Sequence, residues 1–257
     1  MSAIVLIPAR YHSTRFPGKP LAPLKGIPII QHVYRNSSGS RLADDVIVAT
    51  DNEAILEKVL SFGGKAVMTS GDHMSGTDRI AEISRSLDYD IIVNVQGDEP
   101  LIKPDMIDDV ISALDDGRAA IATLAKKITD PEEIFDPNVV KVVCNQDGFA
   151  FYFSRAPIPY HRDEWKSLKE RAAHAGPTTF STYDCYKHIG IYSYRKNVLL
   201  ELSQTPPSRL ERIEKLEQLR ALENNFRIKV RETSSETFGV DTPDDLERIE
   251  KCLNTSL

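Results

Sequence analysis

The 257 residues, 41% hydrophobic and 27% charged, carry enough apolar mass for one α/β domain with a substantial core and do not have the composition of a disordered chain. A net charge of -6 argues against broad electrostatic capture of nucleic acid or of an anionic membrane, so any anion has to be caught by a local cluster. Three cysteines, Cys144, Cys185 and Cys252, form no C-x-x-C pair and read as reduced packing thiols.

The apolar run 3–7 is too brief for a signal or membrane-spanning segment, and no later stretch is long enough to span, which makes a cytoplasmic location the expectation. Runs 3–7, 45–50, 65–68 and 90–95 read as strands, alternating with helical patterns over 29–34, 52–62, 77–87 and 104–114. Near-continuous apolar strands imply burial on both faces, hence a mainly parallel sheet wrapped by helices, with ligands beyond the carboxyl ends of the strands. After residue 115 the rhythm changes. Runs 139–144 and 149–153 flank the turn-forming Asn145-Gln-Asp-Gly148 and predict an antiparallel hairpin. The polar stretch 160–183 reads as a mobile lid. Then come a strand over 188–194, one amphipathic helix over 208–222, a strand over 226–232, and a final helix capped by Thr242 with Pro243 at its first position.

Two segments carry chemistry. Pro8-Ala-Arg-Tyr-His-Ser-Thr-Arg-Phe-Pro-Gly-Lys-Pro-Leu-Ala22 follows the first strand and concentrates Arg10, Arg15 and Lys19 with hydroxyls, which suits a triphosphate whose leaving pyrophosphate needs neutralising. It has neither Walker A nor G-x-G-x-x-G spacing. In Asn94-Val-Gln-Gly-Asp-Glu-Pro100, Gln96 and Asp98 fall just past a buried strand, and Asp98 is a candidate for Mg²⁺, an ion content with one or two carboxylates. The plainer reading is a Gly-Asp turn. Asp241, in Gly239-Val-Asp-Thr-Pro, is a second candidate, although an acid beside an N-cap is more often ordinary helix-start chemistry. His188 at the head of an apolar strand reads as structural. Glu211, Glu214 and Glu217 read as the polar side of a helix. Zinc-protease and serine-hydrolase motifs are absent.

Taken together, the landmarks resemble those of the 3-deoxy-manno-octulosonate cytidylyltransferase family over about residues 4–249. They are Ile7-Pro-Ala-Arg-Tyr, Ser13-Thr-Arg-Phe-Pro-Gly-Lys-Pro-Leu21, Val48-Ala-Thr-Asp51, Met68-Thr-Ser, Ser75-Gly-Thr-Asp-Arg79 and Val93-Asn-Val-Gln-Gly-Asp-Glu-Pro-Leu101. They continue as Tyr152-Phe-Ser-Arg-Ala-Pro-Ile-Pro159, His188-Ile-Gly-Ile-Tyr192, Leu216-Glu-Gln-Leu-Arg220 and Gly239-Val-Asp-Thr-Pro-Asp-Asp-Leu246.

The resemblance implies a nucleotide-diphospho-sugar transferase (glycosyltransferase-A-like) α/β fold. Its mixed, mainly parallel sheet would be flanked by helices and carry a small antiparallel dimerisation lobe. It implies one domain over 1–257, with a core of about 1–115 plus 205–257 and a sugar-binding and dimerisation excursion over about 116–204. It also implies CTP and 3-deoxy-D-manno-octulosonate (Kdo) as substrates, Mg²⁺, a homodimer, and a place in lipopolysaccharide assembly.

By matching motif, Arg10, Ser13 and Lys19 hold the triphosphate, while Met68, Ser70, His73, Ser75, Gly76 and Arg79 surround the cytidine, with Gln96 between nucleotide and sugar. Asp98 and Asp241 hold the metal, and with Arg10 and Lys19 they form the catalytic set. Arg15, Gln96, Arg155, Arg162, His188, Tyr192, Glu217 and Gln218 take the sugar, arginine being suited to a carboxylate by its two parallel donors. The stretch between Arg162 and Lys187 departs from the family in being longer and more polar. Transfer to sialic acid or to 8-amino-Kdo is the neighbouring reading; a non-catalytic nucleotide-sugar sensor and a glycosyltransferase are the rivals of other classes.

Overall fold

The computed structural model describes residues 1–12, 16–162 and 184–255, with side chains as far as Lys251. The segment read as a lid falls mostly outside them, as do Ser13 and Arg15. Strand β1 (Ala3–Ala9) is buried at all seven positions, which is why it reads as an unbroken apolar run. It lies between β4 (Asp45–Thr50) and β6 (Ile91–Asn94), parallel to both, and β5 (Ala66–Met68) extends the sheet beyond β4. On the other side β6 is followed by β10 (Tyr186–Arg195), β7 (Ile121–Lys127) and β11 (Ile228–Glu232). On this path only β10 runs antiparallel to its neighbours. A short ribbon, β2 (Pro23–Leu24) with β3 (Ile27–Pro28), forms a second sheet.

The alternation of strand side chains sorts the core into two layers. Val5, Ile7, Val48 and Val93 face α1 (Ile29–Ser37), α2 (Glu53–Ser61) and α4 (Pro104–Ser112), whose buried stripes are Ile29, Ile30 and Val33, then Ile55 and Val59, then Met106, Ile107 and Val110. Ile4, Leu6, Ile92 and Tyr194 face α3 (Gly76–Ser84) and α6 (Lys196–Gln204). Local caps fix where these helices start. The Asn52 side chain accepts from the Ile55 N–H, and Ser75 and Asp78 form a reciprocal capping box on α3.

The predicted hairpin is present as β8 (Lys141–Cys144) and β9 (Ala150–Ser154), turning at Gly148 with φ 75°, and β8 hangs on β10. The 116–204 stretch thus supplies both this hairpin and two strands of the main sheet, β7 and β10. The short helix α5 (Pro131–Phe135) joins β7 to β8. The single helix expected over 208–222 is two, α7 (Arg209–Glu214) and α8 (Gln218–Glu223). Lys215 takes the left-handed conformation, φ 55°, and ends α7, so that Leu216 turns into the core. Arg220 then clamps the two pieces through paired bonds to Glu211, 2.9 and 2.6 Å. The chain ends its described part in α9 (Pro243–Thr255). No helix among the described residues is long and apolar enough to cross a membrane.

Candidate active site

The carboxyl ends of β1 and β6 meet the start of α3 at a cleft of about 460 Å³ lined by Arg10, His12, Lys19, Gly76, Gln96 and Asp98, within the range of small-molecule sites. Its floor depends on close backbone approach. A Cβ on Gly97 would lie 2.7 Å from the Pro8 carbonyl oxygen, and one on Gly76 would lie 3.1 Å from the Pro8 ring. Backbone atoms cannot step aside as a side chain can. Gly97→Ala should therefore cost about 1–3 kcal/mol of stability and lower turnover, read by urea unfolding alongside steady-state kinetics; a variant as stable as the parent would contradict the close packing.

Gly18, with φ 69° and its N–H donated to the Tyr11 carbonyl at 2.8 Å, turns the loop so that Lys19 points back into the cleft. The Lys19 Nζ lies 2.5 Å from Asp98 Oδ2 and 3.5 Å from Asp241 Oδ1. These two acids, far apart in sequence, are pinned together by a backbone bond from the Val240 N–H to the Asp98 carbonyl, 2.9 Å. The helix-start bonding expected of Asp241 is made by its neighbour. Asp245 accepts from the backbone N–H groups of Asp241 and Thr242, at 3.0 and 2.8 Å, and does the helix-start work expected of Asp241. Asp241 turns instead to Lys19. Burial and the Asp98 charge push the adjacent Glu99 up to about 8.

Two carboxylates converging on one ammonium make a donor set that fits Mg²⁺, and no group of three or more acidic, His or Cys ligands occurs among the described residues. Burial and the Arg79 charge lower the Arg10 guanidinium from its ordinary value, while Asp51, Asp78 and Glu217 oppose them; it stays a cation, facing the cleft.

The β5–α3 segment expected around a nucleoside splits by role. Met68 is exposed on the edge strand, and Gly76 lines the cleft. The Ser70 N–H and the His73 ring both bond to Glu82, and Ser75 is occupied in capping α3. Arg79 does not reach the cleft. It is fully buried and bonded to Thr69 Oγ1, the Ser70 carbonyl and Asp51 Oδ2, the last at 2.7 Å, so it fixes the course of this segment from behind.

Of the expected sugar residues, Gln96, Tyr192, Glu217 and Gln218 come together. They line a second cavity of about 110 Å³, which shares Gln96 with the main cleft and adds Thr77, Asn94, Tyr194 and Arg220. Burial raises Glu217 from the usual carboxyl range. The three glutamates read as a polar face each have a separate use. Glu211 pairs with Arg220, Glu214 accepts from Ser154 and from the Arg155 N–H, and Glu217 faces the cavity.

His188 stands beside that cavity, its ring 5.3 Å from Tyr192 and edge-on to Phe153 at 5.1 Å. Its Nε2 lies 3.0 Å from Thr123 Oγ1, whose own proton points to the Ile191 carbonyl at 2.7 Å, which makes Nε2–H the donor. Burial lowers His188 to about 3, so it is a neutral donor at physiological pH. Arg155 is turned away, with Nε on the Glu214 carbonyl and Nη1 on the Pro137 carbonyl, both 2.8 Å, and Arg162 is exposed. Thr77, Asn94 and Asp51 lie within the quoted motifs but carried no role in them; the signal for Asp51 was its place just past a buried strand, the same as that of Asp98.

A cytidylyltransferase family model matches residues 4–251. The 3-deoxy-manno-octulosonate cytidylyltransferase of Thermodesulfovibrio yellowstonii is 53% identical, covering 99% of both chains, and the protein of that name from Geobacter sulfurreducens is 50% identical, covering 97% of this chain and 98% of its own. A solved structure of CMP:2-keto-3-deoxy-manno-octonic acid synthetase complexed with CTP superposes over 100% of both chains with a TM-score of 0.90 at 40% identity.

Proposed function

The chain belongs to the cytidylyltransferase family, and from that membership we infer the reaction of its cleft: transfer of the cytidylyl group of CTP to Kdo, giving CMP-Kdo and diphosphate for lipopolysaccharide biosynthesis. The carrying observation is agreement with Kdo cytidylyltransferases over nearly the whole chain, in a molecule whose Lys19, Asp98 and Asp241 converge at the strand ends.

We assign the triphosphate to Arg10, Ser13 and Lys19, the nucleoside to the 68–79 segment, and the sugar to the cavity of Gln96, Tyr192, Glu217 and Gln218, with Arg15, Arg155, Arg162 and His188 around it. The oxygen of the sugar's anomeric hydroxyl bonds to the α-phosphorus as the bond to the bridging oxygen breaks; pyrophosphate leaves with that electron pair, and the hydroxyl proton is released to solvent. Arg10 and Lys19 offset charge on the departing group, and positioning of the two substrates supplies most of the rate. Asp98 and Asp241 would hold Mg²⁺, which when bound withdraws charge from phosphate oxygens. Lys19 holds these two carboxylates at one point. A homodimer in the cytoplasm completes the proposal.

The neighbouring reading, another acid-sugar acceptor, is separated by competition. With Kdo, 8-amino-Kdo and sialic acid offered together, mass spectrometry of the products should find CMP-Kdo in large excess. Predominance of another CMP-sugar would keep the nucleotide half and discard the acceptor.

A further inference from the structure

We infer that Asn94 is a specificity-determining residue for the acceptor, its Oδ1 taking a hydrogen bond from a sugar hydroxyl in the cavity it shares with Tyr192. This rests on the sugar assignment above and goes beyond it. Strand β6 reads Ile91-Ile92-Val93-Asn94, so Ile92 and Asn94 share a face, and the register of this face passes from core to amide one step before the cleft. Asn94 is 2% exposed, yet its Oδ1 has no hydrogen-bond partner among the described residues. Buried amide oxygens are almost always paired, because an unpaired one keeps the cost of leaving water and recovers nothing.

The residue opposite it has the same defect. Tyr192 on antiparallel β10 is the register partner of Asn94, and its hydroxyl is also buried without a partner. Directly opposed residues of such a pair project on one face with Cβ atoms roughly 5 Å apart. Both line the 110 Å³ cavity together with Gln96, Glu217 and Gln218. An amide oxygen that only accepts, beside a phenol that donates and accepts, is the complement of a polyhydroxyl ligand. Leucine at 94 would have served packing alone.

Steady-state kinetics of Asn94→Leu, close in shape but without the acceptor, test this. The apparent constant for Kdo should rise roughly ten- to hundredfold while that for CTP stays within about twofold, and the thermal midpoint should hold or rise as a buried unpaired group is removed. Asn94→Ala carries the same expected split should the leucine variant not fold. A Kdo constant within about twofold of the parent, or equal rises in both constants, overturns the inference. Failure of the parent protein itself to use Kdo would instead remove the acceptor assignment on which it rests.

Discussion

Asp98→Asn should lower turnover by roughly two to three orders of magnitude at saturating Mg²⁺, while leaving the thermal midpoint nearly unchanged. The substitution keeps the volume and removes the charge. In the folded chain Asp98 is the nearer of the two carboxylates on Lys19, at 2.5 Å, and its side chain is 30% exposed, so the pair is partly screened and contributes little to stability. What is lost, on the proposed assignment, is the carboxylate that would hold a divalent ion, together with its pairing to Lys19. Turnover within about fivefold of the parent would sink the metal assignment. A collapse of the thermal midpoint would show that Asp98 serves the fold instead.

Asp51→Ala should act the other way, costing about 3–5 kcal/mol of stability, because it leaves the Arg79 cation buried without its carboxylate. Arg79 is fully buried, Asp51 Oδ2 is 2.7 Å from it, and the remaining guanidinium bonds go to neutral oxygens of Thr69 and Ser70. For a chain of this size that loss corresponds to a fall in Tm of roughly 6–20 °C. Differential scanning calorimetry reads it directly. A midpoint within a degree or two of the parent, with the constant for CTP raised, would return Arg79 to the nucleotide.

The two outcomes mark how far motifs carried the reading. Strand β4 was legible to the residue, because a strand buried on both faces advertises itself by an apolar run, and the placing of Lys19 and Asp98 at strand ends was legible because ligands gather there. The direction of each side chain within a motif was not. Ser75-Gly-Thr-Asp-Arg79 reads as one unit, yet Gly76 faces the cleft while Arg79 faces the core behind it, a division set by helical phase and by the distant Asp51.

Likewise the periodicity over 208–222 is continuous. The break at Lys215 comes from a left-handed turn at a lysine, which carries no glycine signal, and from the pairing of Glu211 with Arg220 across it. Strand β7 was missed because Ile121-Ala-Thr-Leu-Ala125 is short and mixes small residues with one hydroxyl, and that Thr123 hydroxyl is satisfied by carbonyls of β10, which no local pattern reveals. Which of Asp241 and Asp245, two acids four residues apart, takes the helix-start N–H groups is a choice that sequence leaves open, and in the structure it is Asp245.

The most direct test of the account is pyrophosphate release by the purified protein with CTP and Mg²⁺, in the presence and absence of Kdo and with the other nucleoside triphosphates in parallel. Release that requires both CTP and Kdo, with CMP-Kdo recovered as the second product, is the predicted result; absence of release with that pair would contradict it.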